Sequence, residues 1–207
     1  MATHKLEAVL QKHVPEAARA YCFDLWIRYP FRFTLRKSRQ SKVGDFICRD
    51  GEAPHITVNA DLHPYLFLVT YVHEVAHLVV HRTHGPRTEA HGESWKDVFR
   101  QLMLPLLVPE VFPKELLIRL RTHMQDPMAS SFSDSDLTEA FRAHDPKWSR
   151  ATLLSEIPVG SMFGLRGKWF RKGQLQRTRF VCTEIKTKRI FLVPADFPVE
   201  NTQLSLL

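Results

Sequence analysis

The segment from Tyr65 to His84 contains neither glycine nor proline, and its apolar residues recur at the spacing of an α-helix. It carries the sequence His73-Glu74-Val75-Ala76-His77. Residues four apart lie one turn from each other on the same helix face, so both imidazoles can reach one metal ion. Glu74 lies at the flank of that ion, where a carboxylate can take a proton from bound water. The pattern predicts a zinc site with an adjacent base on a largely buried helix.

A structural alternative is a core helix whose histidines hydrogen-bond to their neighbours. Burying three ionisable side chains on so apolar a helix costs free energy unless a partner compensates for the loss of water. A metal ion is such a partner, and zinc binding is therefore the favoured interpretation.

A catalytic zinc site needs a third protein ligand and leaves the fourth position to water. His81 continues the row on the helix, but it lies about 12 Å along the axis from His73, too far to share the ion. His84 precedes Gly85-Pro86, where the helix is expected to end, and favours a solvent role. His91 follows this break and is the ligand we expect. The composition of the loop alone does not decide between His91 and His84.

These motifs resemble a known family. The run HEVAHLVVH, the fourteen-residue spacing from His77 to His91 and the segment HGESW are similar to the pattern of SprT-like zinc metallopeptidases, which include Spartan-type DNA–protein crosslink proteases. The resemblance covers about residues 15–125. It implies that His73, His77 and His91 are zinc ligands, that Glu74 is the general base and that Trp95 packs beside the site.

The chain departs from this family in one respect. Many members carry a C-terminal zinc ribbon with two cysteine pairs, whereas this chain has only Cys22, Cys48 and Cys182 and no CxxC motif. A four-cysteine ribbon is therefore excluded, and scattered cysteines indicate reduced thiols. No apolar run approaches the roughly 20 residues of a membrane span, and the N-terminus lacks the apolar core of a signal peptide. We expect no membrane association and a cytoplasmic location, nucleoid-associated, or nuclear if the source is eukaryotic.

The pattern of elements predicts an α+β fold. A mainly helical, zincin-like metalloprotease domain is expected over residues 1–125, with a short antiparallel sheet made of strands Arg32–Leu35, Asp45–Cys48 and His55–Asn59. An acidic, serine-rich linker with a short helix at Leu137–Ala143 is expected over residues 126–147. A small, basic, all-β module is expected over residues 148–207, with strands at 179–183 and 189–193.

The positive charge of the chain is concentrated near its C-terminal end. Residues 147–191 hold eleven lysines and arginines against two acidic residues, whereas the whole chain has a net charge of +7. Basic side chains neutralise phosphates and exposed aromatic rings stack on bases, so Trp169 and its basic neighbours indicate nucleic-acid binding. The predicted contacts in this module are Lys168, Arg171, Lys172, Arg177 and Arg179. The alternative is a solvated basic face over an aromatic core.

A second basic cluster lies ahead of the predicted zinc helix. It includes Arg36, Lys37 and Arg39, and it would hold DNA beside a protein substrate if it adjoined the metal site. The alternative is a charged sheet edge that prevents aggregation.

Together these features predict a zinc-dependent metalloendopeptidase associated with DNA, cleaving proteins crosslinked to or trapped on DNA. Single-stranded and junction DNA both fit as partners, and the sequence does not choose the type of DNA. Two other functions fit parts of the pattern: a nucleic-acid-binding protein with a structural zinc site, and a zinc peptidase without a role on DNA. A structural site has no use for a base at Glu74, which weighs against the first of these alternatives.

Overall fold

The computed structural model describes residues 2–39, 42–49, 51–128, 134–146, 152–165 and 167–203. The chain divides into two compact units, Met1–His144 and Asp145–Leu207. Both α-helices and β-strands occur, which agrees with the predicted α+β class. Among the described helices, none combines the length and the apolar character that a membrane crossing requires.

The first unit packs helices around a small sheet. Its helices are α1 (Ala2–His13), α2 (Arg19–Arg28), α3 (Pro64–His84), α4 (Glu93–Met103), α5 (Lys114–His123) and α6 (Ser135–His144), and its strands are β1 (Arg32–Arg36), β2 (Gly44–Ile47) and β3 (His55–Asn59).

The central helix α3 has well-defined ends. Pro64 occupies its first turn, where the missing N–H needs no partner, and the ring of His63 accepts a hydrogen bond from the Tyr65 N–H. The helix ends at Gly85, whose φ of 85° favours glycine. Most of its side chains are buried, as expected for a helix that carries apolar residues on most of its faces. The helix predicted over 65–84 is therefore confirmed, with one more residue at its start.

The sheet of the first unit is mixed, and the prediction of an antiparallel sheet was wrong. The strand order is β1-β3-β2, with β1 parallel and β2 antiparallel to β3. Residues Ile56–Asn59 are all buried, so β3 takes the central position and separates the two strands that precede it in the chain. The predicted strand positions were correct to within one residue.

The segment predicted to be a linker is partly folded into the first unit. In α6, Leu137 is fully buried and Phe141 nearly so, and both belong to the core of this unit. The Asp134 carboxylate accepts hydrogen bonds from the Leu137 N–H at 3.0 Å and from the His123 ring at 2.9 Å, which ties α6 to the end of α5. Residues 129–133 and 147 of the expected linker, and residues 148–151 of the expected β module, lie outside the described residues.

The second unit is a six-stranded antiparallel sheet, as predicted for an all-β module. Its strands are β4 (Thr152–Leu153), β5 (Met162–Leu165), β6 (Lys168–Gln176), β7 (Arg179–Glu184), β8 (Ile190–Pro194) and β9 (Pro198–Gln203), in the order β4-β9-β5-β6-β7-β8. The return of β9 to pair with β5 excludes a simple stack of hairpins. Phe163, Phe170 and Phe180 supply its small core, so these aromatics are not available to bases.

Candidate metal centre

Three histidine side chains converge in the first unit. His73 and His77 lie one turn apart on α3, and His91 reaches them from the segment between α3 and α4. The Nε2 atoms are separated by 3.2 Å between His73 and His77, 3.1 Å between His77 and His91, and 3.3 Å between His73 and His91. Among the described residues this is the group that could hold a metal ion.

The chemistry of this triangle fits a metal. Two nitrogens bound tetrahedrally to zinc are separated by about 3.3 Å, which the observed spacings match. Burial is the main cause that lowers the pKa of His73 well below its ordinary value and that of His77 to about 4; it also lowers the pKa of His91. The rings are therefore neutral with lone pairs available. One N–H cannot satisfy three facing nitrogens, whereas one cation can.

The loop after α3 brings His91 to the site. The Thr88 hydroxyl donates to the carbonyls of His84 and Gly85, both at 3.1 Å, and this turn redirects the chain after the helix. Gly92 is the N-cap of α4, and a Cβ there would lie 3.0 Å from the Glu89 carboxylate. The three predicted ligands are thus the three that the fold brings together.

The two other candidate ligands lie apart from the triangle. The His81 ring packs edge-on against Phe46, with centroids 5.7 Å apart. His84 is exposed and its ring lies 2.7 Å from the Thr83 hydroxyl. The helix continues through His81 and does not end until Gly85, so neither ring can turn back to the metal position.

The Trp95 indole forms an apolar wall beside the three imidazoles. It is fully buried, and its ring centroid lies 4.6 Å from that of His73, 5.4 Å from that of His77 and 4.7 Å from that of His91. Phe99, one turn later on α4, stacks behind it at 4.8 Å. Trp95 therefore restricts the orientation of all three rings, as the resemblance implied for this residue.

The Glu74 carboxyl group is held away from water. Its residue is only 6% exposed, and among the described residues none forms a hydrogen bond or ion pair with it. Burial, followed by the charge of Asp45, raises the pKa of Glu74 to about 8, and the charges of Arg39 and Lys42 oppose this change. A carboxyl group in such a place can exchange a proton near neutral pH.

Strand β2 passes directly beside the site. A Cβ at Gly44 would overlap the Glu74 carboxylate oxygen and lie 2.7 Å from the Thr70 methyl group, so only glycine allows this approach. Two residues further on, the Phe46 ring lies parallel to that of His77 at 6.5 Å. The sequence interpretation did not include Gly44, although a glycine within a short strand is a signal of close approach.

Arg39 is tied into the fold by a buried asparagine. Its Nε donates to the Asn59 side-chain carbonyl at 2.9 Å, and the Asn59 amide donates to the Arg39 and Lys42 carbonyls. The Arg39 Nη2 is buried and has no hydrogen-bond partner among the described residues. The side chain as a whole is half-buried, whereas Arg36 and Lys37 are exposed. A nucleic-acid contact at these three residues stays a prediction.

Lys172 was also predicted wrongly as a phosphate contact. It is 3% exposed, its Nζ donates to the Ile157 carbonyl at 2.6 Å, and it lies 3.7 Å from the centre of the Phe180 ring. Strand alternation points this long side chain inward, where backbone carbonyls satisfy it. Lys168 is exposed but paired with the buried Glu184 at 3.1 Å.

The other predicted contacts of the second unit are exposed. Arg171, Arg177 and Arg179 face solvent, with Arg177 in the turn between β6 and β7. Trp169 is 41% exposed and lies two residues before Arg171 on β6, hence on the same face. An exposed indole beside an exposed guanidinium is a combination that can hold a base and a phosphate.

Comparisons of the chain with protein-family models, with curated proteins and with solved structures gave no match.

Proposed function

We propose that this protein is a zinc-dependent metalloendopeptidase that acts on proteins bound to DNA. The observation that carries the proposal is a buried Glu74 next to three converging histidine nitrogens. This arrangement supports peptide hydrolysis because it combines a metal-ligand set with a base on the adjacent residue.

His73, His77 and His91 would hold the ion. Zinc supplies Lewis acidity, which activates a water molecule and polarises the scissile carbonyl. Glu74 accepts a proton from the water molecule onto a carboxyl oxygen and then donates it to the nitrogen of the leaving amine.

The openness of the triangle favours a catalytic role over a structural one. Structural zinc sites are closed by four protein ligands, whereas only three ligand groups converge among the described residues. All three histidines also retain partial exposure. A position for water and substrate is consistent with these two facts.

Strand β2 offers a place for an extended peptide. It is an edge strand of its sheet, and Gly44 and Phe46 bring it beside Glu74 and His77. A substrate that adds a strand along this edge would present its backbone carbonyls to the metal position. This supports a peptide rather than a small molecule as substrate.

The first test is cleavage of a DNA-binding protein by zinc-loaded wild type and by Glu74→Gln. We expect the variant to keep its zinc and lose cleavage by about 10³-fold or more, because the base is removed and the ligands are not. Glu93→Gln is the matched control, since Glu93 is an exposed acid near the site in sequence. Full cleavage by Glu74→Gln would contradict the assignment of the base.

The second test concerns DNA. Single-stranded DNA should stimulate cleavage by wild type, and the Trp169→Ala/Arg171→Gln double variant should lose most of that stimulation while its DNA-independent rate is unchanged. A control that removes charge elsewhere, Lys5→Gln/Lys12→Gln, should behave as wild type. Cleavage indifferent to DNA in wild type would support a zinc peptidase without a role on DNA.

A further inference from the structure

Strand β8 of the second unit presents an open apolar edge. The strand β8 is at the end of the sheet order, so within the described residues one of its sides has no pairing strand. Ile190 is 69% exposed and Leu192 is 51% exposed. Exposed aliphatic side chains on an unpaired edge are a site for strand addition, which proteins otherwise tend to block.

The register shows which backbone groups face outward. The Glu184 N–H donates to the Arg189 carbonyl, and the Ala195 N–H donates to the Thr178 carbonyl. In an antiparallel ladder, hydrogen-bonded pairs alternate with pairs that are not bonded. Ile190 pairs with Thr183 and Leu192 with Val181, both in the unbonded class. The N–H and C=O groups of Ile190 and Leu192 therefore face away from β7, toward the open edge.

The start of β8 is basic. Lys186, Lys188 and Arg189 are exposed just before the strand. Glu184, the acidic residue nearest to them in sequence, is buried and paired with Lys168. At the other end of the strand, Arg179 pairs in register with Pro194, and Asp196 follows two residues later. The excess of positive charge therefore lies at the start of β8.

We propose that β8 binds an extended, acidic segment of a partner protein, which adds to the sheet as a further strand. The partner's backbone pairs with the N–H and C=O groups of Ile190 and Leu192, its apolar residues cover their side chains, and its acidic residues meet the basic groups just before β8. This docking surface is independent of the proposed peptidase activity.

Two other occupants fit less well. A nucleic acid would leave the outward N–H and C=O groups unpaired and gains little from aliphatic side chains, because bases stack on aromatic rings. A second copy of the chain would add the same strand, which has no acidic residue to meet these cations and whose Pro194 offers no N–H for the added ladder.

The test uses the full chain and a synthetic, fluorescein-labelled peptide of alternating glutamate and valine, with binding followed by fluorescence anisotropy. We expect saturable binding to wild type. Binding to Ile190→Thr/Leu192→Thr should be weaker by about tenfold or more, since threonine keeps the strand but removes apolar surface. The matched control is Leu104→Thr/Ile118→Thr, which alters two aliphatic side chains of the first unit that are 69% and 53% exposed.

Two further peptides test the mode of binding on the unaltered protein. A lysine–valine peptide should not bind, because the residues just before β8 are basic. A glutamate–valine peptide N-methylated at alternate residues should also fail, because it cannot form the ladder. Equal binding of either peptide, or undiminished binding to Ile190→Thr/Leu192→Thr, would overturn the proposal.

The remaining outcomes identify the other occupants. If oligothymidylate binding, rather than peptide binding, is lost in the double variant, the edge serves a nucleic acid and the proposal fails. If wild type forms a dimer that the double variant does not, and the peptide does not bind, the edge joins two copies and the proposal also fails. Peptide hydrolysis is not measured in any of these arms, so none depends on the activity of the metal centre.

Discussion

At the scale of single residues, the site combines groups that are costly to bury. Glu74 and the three histidines sit on or against a helix whose other faces are apolar, and burial alters the pKa of each of them. Such groups destabilise a fold unless a ligand compensates for the loss of water. We therefore expect the site to lower the folding stability of the metal-free chain.

The pKa of Glu74 predicts a pH-dependent stability difference. The value is about 8 in the folded, metal-free chain against an ordinary 4.5. Between these values the folded state holds a proton that the unfolded state has released, so its contribution lowers stability as pH rises from 4.5 to 8. Metal-free Glu74→Gln should therefore be more stable than wild type by about 4 kcal/mol at pH 8, and by about 0.5 kcal/mol or less near pH 4.5.

Urea unfolding at a series of pH values checks this prediction. Glu93→Gln, which alters an exposed carboxylate, should show no comparable pH-dependent gain. A constant difference between Glu74→Gln and wild type across the pH range would contradict the desolvation of Glu74.

The contact between Gly44 and Glu74 gives a second prediction at this scale. Gly44→Ala places a methyl group where the carboxylate lies, so Glu74 or strand β2 must move. We expect about 10²-fold slower cleavage with unchanged zinc content, because the ligands are on other elements. Ile47→Ala, on the same strand but with an exposed side chain, is the control and should cleave at nearly the wild-type rate. Wild-type activity in Gly44→Ala would show that this close approach is not needed.

At the scale of elements, α6 is attached to the first unit by a carboxylate at its start. Asp134 accepts from the Leu137 N–H and from the buried His123 ring, and these bonds hold the pKa of Asp134 below its ordinary value although burial acts to raise it. The contribution of Asp134 is therefore present near neutral pH and lost as pH falls through the depressed pKa.

Two aspartates at the start of α6 give a matched comparison. Asp134→Ala should lower the free energy of unfolding by about 1–2 kcal/mol, because the helix loses its cap and His123 loses its partner. Asp136→Ala should change it by about 0.5 kcal/mol or less, since Asp136 forms an exposed ion pair with Arg119. Chemical denaturation at pH 7 measures both. Equal effects would mean that Asp134 does not anchor the helix.

At the scale of the whole molecule, local pattern predicted local structure well. Helix α3 and its end at Gly85 follow from apolar spacing and a glycine–proline break, and the strand positions follow from β-branched and aromatic runs. The two-unit α+β organisation also followed from the shift to short strands near residue 148. These features depend on neighbours in sequence, which a single chain displays.

What could not be predicted depends on contacts between distant segments. Tertiary packing determines three of these features: the parallel pairing of β1 with β3, the burial of Lys172 over Phe180, and the hydrogen bond between Arg39 and Asn59. The choice of His91 over His84 also needed the path of the loop, because both residues lie near the helix end in sequence. The need for glycine at position 44 is evident only when Glu74 is seen to pack against it.

The central claim is that His73, His77 and His91 hold a catalytic zinc ion, and it is tested most directly by two histidine variants. Zinc content and peptide-bond cleavage would be measured on the same preparations of wild type, His91→Ala and His84→Ala. We predict about one zinc ion per chain and full cleavage in wild type and His84→Ala, and the loss of cleavage with at least tenfold weaker zinc binding in His91→Ala. Undiminished zinc binding and cleavage in His91→Ala, or their loss in His84→Ala, would contradict the site described above.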